Sequence, residues 1–554
     1  MDWTQRKFPA LVLLCLLAAC GGRTPNDGGT GGGDGGTGGG RCEGDEGSAP
    51  SEPVAMAFTP SILTGSYGAG DSLSLVVRAT LTTPLSSDVY LAVVDNTGVL
   101  EGGVYIEPSS QSGVYYASAS MSSRLPAGCH RGALEVRLCR DQRCSAQHPG
   151  SPAYLPYALQ VLPGNLTPLT RWPSLRDWET FQGNAAHTGH VPVTLDPSRF
   201  SHRWSWRPSA SDIQLSPPVI ANGLVYVANS TRWTNDTPRT LFALRESDKE
   251  MQWHVDFGGV RELNPPAVSG GKVFASTTGG SSAAMWSFDA ATGAQLSKMG
   301  FNSQWEHYYA PTIEGGVVYS ACASTGGMCT FNLADGALKW FVSPADSDEW
   351  TPAVDENHAY SYGSGVLTAR VKSTGQLAFT ITDPQAGSDI NLYSVHGSPV
   401  LGTQGNVLTV SGENIFQANR LLSFNTVKRN LNWSIPGRYG GNPVLAKGVV
   451  YATTIPEESF QLNVEARSEA TGALLWSWTP PRGDSPRHGS QGFYSDLLVT
   501  DNLLFVSTSS HVYAIDLATH APVWSYWKGG NLAISANGVL YITTGGTIGA
   551  VNLK

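Results

Sequence analysis

Two histidines and a short acidic run are the residues whose types could hold a metal ion. His187 and His190 have HxxH spacing, but they stand outside any helical pattern and no carboxylate is nearby, so we expect hydrogen-bonded packing rather than zinc ligation. The acidic run 346–349 could gather a hard cation through its oxygens, but a solvated acidic loop is the interpretation we favour. The sequence therefore predicts no metal site.

Candidates for nucleophilic chemistry are as weak. The run 488–492 differs from the GxSxG motif of hydrolases because His488 replaces the first glycine, and no strand-to-helix pattern surrounds it. The sequence contains no convincing HExxH motif, glycine-rich phosphate loop or EF-hand ligand series. His520 stands where a turn glycine is expected, and we expect a strained or rearranged turn there rather than a functional histidine. No catalytic residue is predicted.

Cysteine usage indicates an oxidising compartment. Of the eight cysteines, Cys15 lies in the N-terminal apolar run and Cys20 follows it, which leaves an even set of six. Spacing alone does not fix their connectivity. Locality favours two short pairs and leaves the remaining two cysteines for each other; the pairs are Cys139 with Cys144, Cys322 with Cys329, and Cys42 with Cys129. A metal site is the alternative, but it lacks a CxxC pair.

A repeat positions the residues of the C-terminal two-thirds. Its fullest copy runs over residues 443–476, with Pro443-Val444, then an apolar pair after a glycine, then Trp476. Copies recur at a mean spacing of about 45 residues, within the range of roughly 40 to 50 expected of four-stranded propeller blades. They begin at Pro218, Pro266, Pro311, Pro352, Pro399, Pro443, Leu497 and Ala533. The sequence predicts eight such units.

The ends of the repeat region complement each other. Residues 200–206 have the tryptophan-containing pattern of a last strand without earlier strands, and the final repeat, ending near Leu553, lacks that strand. Joining the two would complete the eighth unit and remove unpaired sheet edges. We therefore expect a closed ring over residues 200–554.

The stretch before the ring carries a family resemblance. Its residues look like the segment that precedes the propeller in pyrroloquinoline-quinone-like (PQQ-like) repeat proteins, which include an outer-membrane assembly lipoprotein of the same eight-bladed fold; they are Trp178, Phe181, Gly183, Asn184, His187, Thr188, Gly189 and Pro192. The resemblance runs from about Trp178 to Lys554 and makes residues 166–199 a bridging segment. It also implies docking of the repeated tryptophans between blades, each burying on the order of 200 Å². These are Trp253, Trp340, Trp433, Trp476 and Trp524.

Quinone dehydrogenases of this family use an adjacent cysteine pair over the cofactor, together with calcium and an acidic base. This sequence has no adjacent cysteines and lacks the long insertions that build such sites. We therefore expect neither PQQ nor calcium, and expect that the chain is not an enzyme, while a PQQ-dependent oxidoreductase stays the enzymatic alternative.

Residues 48–165 show five short alternating runs between turn residues, typical of a small immunoglobulin-like β-sandwich. The runs are 72–77, 89–94, 113–117, 133–138 and 157–161. His130 and His148 stand far apart and have no acidic partner in a local motif. A spacer or adhesion module is the role we expect.

The N-terminus has the layout of a secretory signal, with Arg6 and Lys7 before a short apolar run. Residues 17–20, Leu-Ala-Ala-Cys, look like a bacterial lipobox, which implies that residues 1–19 are a signal peptide and that Cys20 carries lipid; a plain signal peptide is the alternative. Residues 20–47 are glycine-rich and read as a flexible tether, of which the twenty residues 21–40 would reach roughly 25 Å. Gly21, by resemblance to lipoprotein sorting signals, favours the outer membrane.

Composition and loop residues complete the hypothesis. Charged residues make up 14% of the chain, its net charge is −9 and it has no basic stripe, which argues against nucleic-acid binding. Aromatic residues precede the first strands of several repeats and would gather in a funnel, unless each ring packs beneath its own loop. The candidates are Trp305, Tyr309, Trp350, His396, Tyr439 and Tyr494.

The sequence thus predicts an all-β chain: a lipid-anchored eight-bladed propeller behind a sandwich, located at the outer membrane on its periplasmic or surface side. We expect a monomer that is non-catalytic and binds a protein, peptide or glycan. A scaffold for outer-membrane protein assembly is the further alternative, suggested by the family resemblance.

Overall fold

A computed structural model describes residues 56–82, 89–209, 214–229, 239–279, 282–303, 309–322, 327–343, 350–386, 398–411, 419–455, 462–481, 487–489, 492–494 and 497–554. The chain divides into two compact units, Met1–Pro163 and Gly164–Lys554. The described residues are all-β, with three short 3-10 turns at Phe181–Gly183, Pro197–Arg199 and Thr403–Gly405. The signal peptide, Cys20, the tether and Cys42 lie outside the described residues.

Unit 1 consists of eight strands in two four-stranded sheets, ordered β1-β3-β6-β5 and β2-β8-β7-β4. Strand β2 pairs with β8 in parallel, and the other pairs are antiparallel. The strands are β1 Met56–Thr59, β2 Leu63–Gly68, β3 Leu73–Leu81, β4 Tyr90–Val94, β5 Tyr105–Pro108, β6 Val114–Met121, β7 Gly128–Cys139 and β8 Ala153–Leu162. All five strands that the sequence predicted are present.

The core of unit 1 follows from alternation along its strands. In β3, Leu73, Leu75 and Val77 are buried while the residues between them face outward. The disulfide Cys139–Cys144 closes the turn after β7 with a Cα–Cα distance of 4.7 Å, which confirms the first local pair. Cys129 is also disulfide-bonded, and its expected partner Cys42 is outside the described residues.

Unit 2 is a propeller-like assembly. Its described residues contain eight sheets of at least four strands, in which neighbouring strands pair antiparallel, except that the strand His190–Val191 adds in parallel to the edge of one sheet. The unit begins with β9 His190–Val191 and β10 Ser201–Trp206. Sheet 1 contains β11 Val219–Ala221, β12 Leu224–Ala228, β13 Thr240–Arg245 and β14 Met251–Asp256. Sheet 2 contains β15 Glu262–Leu263, β16 Ala267–Ser269, β17 Lys272–Thr278, β18 Ala284–Asp289 and β19 Gln295–Gly300. Sheet 1 matches the four strands expected from the first repeat.

The next four sheets repeat this order. Sheet 3 contains β20 Thr312–Glu314, β21 Val317–Ala321, β22 Met328–Asn332 and β23 Leu338–Val342; sheet 4 contains β24 Ala353–Val354, β25 His358–Gly363, β26 Val366–Val371 and β27 Leu377–Thr382. Sheet 5 contains β28 Val400–Leu401, β29 Asn406–Ser411, β30 Asn419–Asn425 and β31 Asn430–Gly437; sheet 6 contains β32 Tyr439–Ala446, β33 Val449–Thr454, β34 Asn463–Ser468 and β35 Leu474–Trp478.

A hairpin of β36 Arg487–Gly489 and β37 Gly492–Tyr494 precedes the last two sheets. Sheet 7 contains β38 Leu497–Thr500, β39 Leu503–Ser507, β40 Val512–Asp516 and β41 Pro522–Tyr526; sheet 8 contains β42 Asn531–Ile534, β43 Val539–Thr544 and β44 Thr547–Asn552. The fourth strand of sheet 8 is β10, which pairs with β44 in the register Trp204 to Ala550. This pairing confirms that residues 200–206 complete the last repeat.

Tryptophan indoles join neighbouring sheets. The indole N–H of Trp253 in sheet 1 donates to the carbonyl oxygen of Ala290 in sheet 2 at 3.0 Å, and Trp433 in sheet 5 donates to Glu469 in sheet 6 at 2.9 Å. The same bond recurs from Trp204 to Glu246 at 3.0 Å and from Trp340 to Lys372 at 3.1 Å. Each acceptor directly follows the third strand of its sheet, so the docking role implied by the family resemblance is confirmed for these rings.

A turn residue in the left-handed region completes each of these contacts. Gly293 has φ of +73°, and a Cβ there would lie 2.7 Å from the Trp253 ring, so at this turn the indole lies closer than a side chain would allow. His520 takes the equivalent place with φ of +58° and stacks on Trp476 with ring centroids 4.7 Å apart. The strained turn expected at His520 is confirmed, and its imidazole packs between sheets 6 and 7.

Sheets 8 and 1 meet at a buried polar seam. The Glu246 carboxylate of sheet 1 accepts hydrogen bonds from Ser535 and, at 2.6 Å, from the Asn537 amide of sheet 8. Burial raises the pKa of Glu246 above the ordinary value of a glutamate. The buried Arg203 guanidinium donates to the carbonyl oxygens of Thr167 and Ser247 at 2.9 Å and 2.6 Å.

Candidate functional site

The residues before β10 form a segment that contacts every sheet of unit 2; residues 177–195 are called the hub segment here. Six of its contacts are backbone hydrogen bonds in which an innermost strand donates an N–H to a hub-segment carbonyl oxygen. The pairs are Ile220 to Trp178, Val268 to Glu179, Val354 to Ala185, Leu401 to Ala186, Leu445 to Thr188 and Val499 to Gly189, at 2.8 to 3.0 Å. The hub segment thus passes sheets 1, 2, 4, 5, 6 and 7 in chain order.

Side-chain groups reach the two remaining sheets. The Thr180 hydroxyl donates to the carbonyl oxygen of Pro311 beside sheet 3, and the Asp177 carboxylate accepts the N–H of Ala536, next to sheet 8, at 3.1 Å. Asp177 also accepts the N–H of Asn222, which lies in the turn between the first and second strands of sheet 1. The hub segment therefore lies on the side of the sheets where the first strand turns into the second, called the turn face below.

His187 fixes the middle of the hub segment. The ring is fully buried; Nδ1 lies 3.0 Å from the carbonyl oxygen of Pro399 and Nε2 lies 2.8 Å from the Thr312 hydroxyl. Burial lowers the pKa of His187 to about 3, so the imidazole is neutral at physiological pH. This confirms hydrogen-bonded packing as the role of this histidine.

The other motif residues shape the local backbone. Asn184 accepts the N–H groups of Ala186 and Thr188 through Oδ1 and donates through Nδ2 to the Thr188 hydroxyl at 2.7 Å. Gly189 has φ of +62°, and a Cβ there would lie 2.4 Å from a methyl group of Val444. The glycine therefore lets the chain touch sheet 6 closely.

His190 has a partner that the sequence did not reveal. Its Nε2 lies 3.3 Å from the Asp501 carboxylate, which also pairs with the Lys447 ammonium at 2.9 Å. The expectation of no nearby carboxylate is wrong, because Asp501 arrives from a turn more than 300 residues away in the sequence. Burial lowers the pKa of His190, and the hydrogen bond from Lys447 lowers that of Asp501.

Of the six funnel candidates, three have described side chains. Tyr309 is partly exposed and stacks on Phe181 of the hub segment, with ring centroids 4.5 Å apart and planes 6° from parallel. Trp350 is only 1% exposed, within a core shared by sheets 3 and 4, and Tyr439 is 4% exposed, with its hydroxyl donating to Glu465 at 2.9 Å. For these two rings the structure shows packing, the alternative left open by the sequence.

Trp305 and His396 lie outside the described residues, as does the acidic run 346–349, and Tyr494 is described only through the backbone of β37. His488 likewise has only its backbone described, in β36.

No set of three or more His, Cys, Asp or Glu side chains gathers among the described residues in an arrangement that could bind a metal ion. The disulfide Cys322–Cys329 joins the second and third strands of sheet 3 with a Cα–Cα distance of 5.9 Å, which confirms the second local pair. Within the same residues, no helix has the length and apolar character needed to span a membrane.

One protein family matches the sequence of unit 2. A family model of PQQ-like repeats, described as outer membrane protein assembly factor BamB, matches residues 188–309 and 298–478, together more than half of the chain. No curated protein matches significantly.

Solved structures also match. BamB from Moraxella catarrhalis has 16% identity and a TM-score of 0.46, covering 64% of this chain and 98% of that one. The Dos1 propeller has 11% identity and a TM-score of 0.43, with 65% and 96% covered. Kluyveromyces lactis Hsv2 has 6% identity and a TM-score of 0.35, with 57% and 98% covered.

Proposed function

The chain belongs to the family of PQQ-like repeat proteins represented by the outer-membrane assembly factor, and from this premise we propose that it is a non-catalytic scaffold that binds a protein partner in the bacterial cell envelope. The family match supports an assembly-type propeller. The docked indoles support the scaffold role, because they join sheets into one rigid body that can present loops at fixed spacing.

The finer architecture belongs to the same proposal. The eight sheets of unit 2 are eight blades of one closed ring over residues 200–554, sealed by the pairing of β10 with β44. Residues 48–165 are an immunoglobulin-like sandwich that serves as a spacer, supported by the two four-stranded sheets of unit 1.

The proposed address is the outer membrane. Residues 1–19 are a lipoprotein signal peptide, Cys20 carries lipid, and residues 20–47 tether the folded units. The disulfides support an oxidising compartment such as the periplasm. A monomer facing the periplasm or the cell surface fits this arrangement.

One observation carries the choice of binding surface. Successive strands are antiparallel, so the connections from a fourth strand to the next sheet leave from the face opposite the turn face. We call it the funnel face. Residues 383–399 make such a connection, whereas the turn face joins β11 to β12 through Asn222 and Gly223 alone. Long, variable connections at one face are where propellers and other rigid scaffolds bind partners, and Trp305, Tyr309, His396 and Tyr494 belong to these connections.

Site-specific photo-crosslinking in cells tests this surface. A benzophenone amino acid at position 305, 396 or 494 should give a discrete protein adduct that mass spectrometry identifies as part of outer-membrane protein assembly. The matched control is position 427, because Val427 is 76% exposed in a turn between the third and fourth strands, on the turn face. Adducts at position 427 alone would move the binding surface to the other face.

A second arm distinguishes the alternatives. Saturable uptake of PQQ with calcium, together with alcohol-dependent dye reduction, would show that the protein is an oxidoreductase and not a non-catalytic scaffold. Binding to an immobilised glycan panel without any protein adduct would replace the protein partner by a glycan.

A further inference from the structure

We infer that the hub segment is a clasp bound in cis, which seals the turn-face end of the channel through unit 2. This inference concerns the channel alone and holds whether or not the proposed partner binds. Its basis is that one stretch of 19 residues, 177–195, touches all eight sheets of the unit.

The bonding pattern is that of a bound extended peptide. The six donating amides belong to innermost strands; five of these have no further strand along that edge, and the sixth, β38, pairs there only with β9 of the hub segment itself. A buried edge without partners would carry unsatisfied N–H groups, each costing about 1 to 3 kcal/mol. The carbonyl oxygens of the hub segment satisfy these groups, as an added strand does in β-augmentation.

Two side chains hold the clasp across the channel rather than along it. His187 contacts Pro399 beside sheet 5 and Thr312 in sheet 3, which are separated in the chain by sheet 4. The Gln182 amide donates at 3.2 Å to the carbonyl oxygen of Pro443 beside sheet 6. The segment thus joins sheets that are not neighbours in the chain and does not merely line one sheet.

The clasp also packs against an aromatic residue that leads into sheet 3. Phe181 lies on the hub segment, and Tyr309, which precedes the first strand of sheet 3, stacks on it. His187 meets the Phe181 ring edge-on with centroids 5.0 Å apart. Aromatic packing therefore supports the same residues that the hydrogen bonds hold.

The end of the clasp is fixed to sheet 7 before the chain turns outward. Val191 and His190 pair in parallel with β38, and the Val193 carbonyl oxygen accepts the N–H of Asp501. The Asn502 side chain then exchanges two hydrogen bonds with the Leu195 backbone, at 2.9 Å and 2.8 Å. From there the chain reaches β10, so the clasp and the closing strand are consecutive.

Amide hydrogen exchange of the full chain tests the inference. Exchange at the amides of Ile220, Val268, Val354, Leu401, Leu445 and Val499 should be slowed roughly a thousandfold or more relative to an unprotected peptide. Exchange at the rate of surface loops at these six positions, with the second strands still protected, would overturn the clasp.

A variant makes the test local. Asn184→Ala removes the side chain that orders residues 184–188, so exchange should rise about tenfold or more at Val354, Leu401 and Leu445. Ile220 and Val268, which bond to the segment upstream of Asn184, should change little. Asn432→Ala is the matched control, since that amide makes a single exposed 3.4 Å bond in an outer strand. Equal effects of both variants would contradict the inference.

A second variant covers the case in which Asn184→Ala is silent. Gly189→Val places side-chain atoms against Val444 and should raise exchange at Leu445 and Val499. Gly223→Val is its control, because Gly223 also has a positive φ but has open space around its Cβ position. Unchanged protection in Gly189→Val would mean that the segment is not the group shielding these amides.

Discussion

The imidazole Nδ1 of His187 donates its proton to the carbonyl oxygen of Pro399, 212 residues further along the chain. A carbonyl oxygen accepts and never donates, so Nδ1 carries the hydrogen and Nε2 is left as the acceptor for the Thr312 hydroxyl. One neutral imidazole thereby ties the segment before the propeller to sheets 3 and 5, and it does so only in a single tautomer.

Stability should depend on pH through this ring. The folded pKa of His187 is lowered to about 3 from 6.5, so the unfolded chain binds a proton that the folded chain rejects. The contribution of His187 to the free energy of unfolding is fully present above about pH 6.5 and is lost as the pH falls towards 3. By about pH 5 the loss amounts to about 2 kcal/mol. Denaturant unfolding between about pH 7.5 and 5 should show a steeper decline for the wild type than for His187→Gln. Parallel curves for the two proteins would contradict the assignment.

Docking of the indoles should be measurable one interface at a time. Trp253→Phe keeps an aromatic ring but removes the donor to Ala290, and should lower the free energy of unfolding by about 1 to 2 kcal/mol. Trp206→Phe is the control, because that ring is only partly buried and lies on the closing strand. A cost for Trp206→Phe as large as that for Trp253→Phe would mean that the hydrogen bond contributes nothing specific.

His520 combines an unfavourable backbone with a favourable stack. His520→Ala loses the contact with Trp476, worth about 0.5 to 1.5 kcal/mol, and keeps the left-handed φ of +58°. His520→Gly loses the same contact but relieves about 1 kcal/mol of strain. Thermal unfolding should therefore rank the glycine variant above the alanine variant. The reverse order would show that the turn is unstrained.

The two described disulfides should differ in their resistance to reduction. Cys322 and Cys329 are 1% and 2% exposed, whereas Cys144 is partly exposed in a surface turn. A thiol reductant must reach a sulfur atom, so native protein should lose Cys139–Cys144 first. Alkylation followed by mass spectrometry reports the order, and denaturant should abolish the difference. Earlier loss of the buried pair would argue that sheet 3 opens locally.

Lipidation can be tested without reference to any partner. Cys20→Ala should abolish incorporation of labelled fatty acid and release the protein from the membrane fraction, because the thiol is the proposed attachment point. Cys15→Ala should leave labelling unchanged, since that residue lies within the proposed signal peptide and before the proposed attachment point. Retained labelling in Cys20→Ala would show that residues 17–20 are not the processing site.

The repeat architecture could be predicted because it depends on side-chain types that recur along the sequence. Proline, paired apolar residues and tryptophan recur at fixed positions, and each has a steric or burial requirement that shows in the sequence. The same holds for the closing strand, whose pattern matches the missing fourth strand of sheet 8. Short strands of unit 1 gave no such signal: β1 and β5 have four residues each, too few to display alternation.

The hub segment could not be predicted, although its motif residues were recognised. Its contacts to Ile220, Leu401 and Val499 are backbone hydrogen bonds, which carry no residue signature. Side-chain direction was equally hidden, since Trp350 and Tyr439 stand in the same context as Tyr309 and yet are buried.

Pairing of Trp204 with Ala550 sets a constraint on the order of synthesis. Because the chain is made from its N-terminus, β10 is synthesised long before β44. It therefore has no β44 to pair with until more than 300 further residues have been made. Strand β44 is thus made last among the four strands of sheet 8 and supplies the partner of β10. Premature termination just before Thr547 would therefore remove the partner of β10 and of β43 together, and both strands would be left with an unpaired edge.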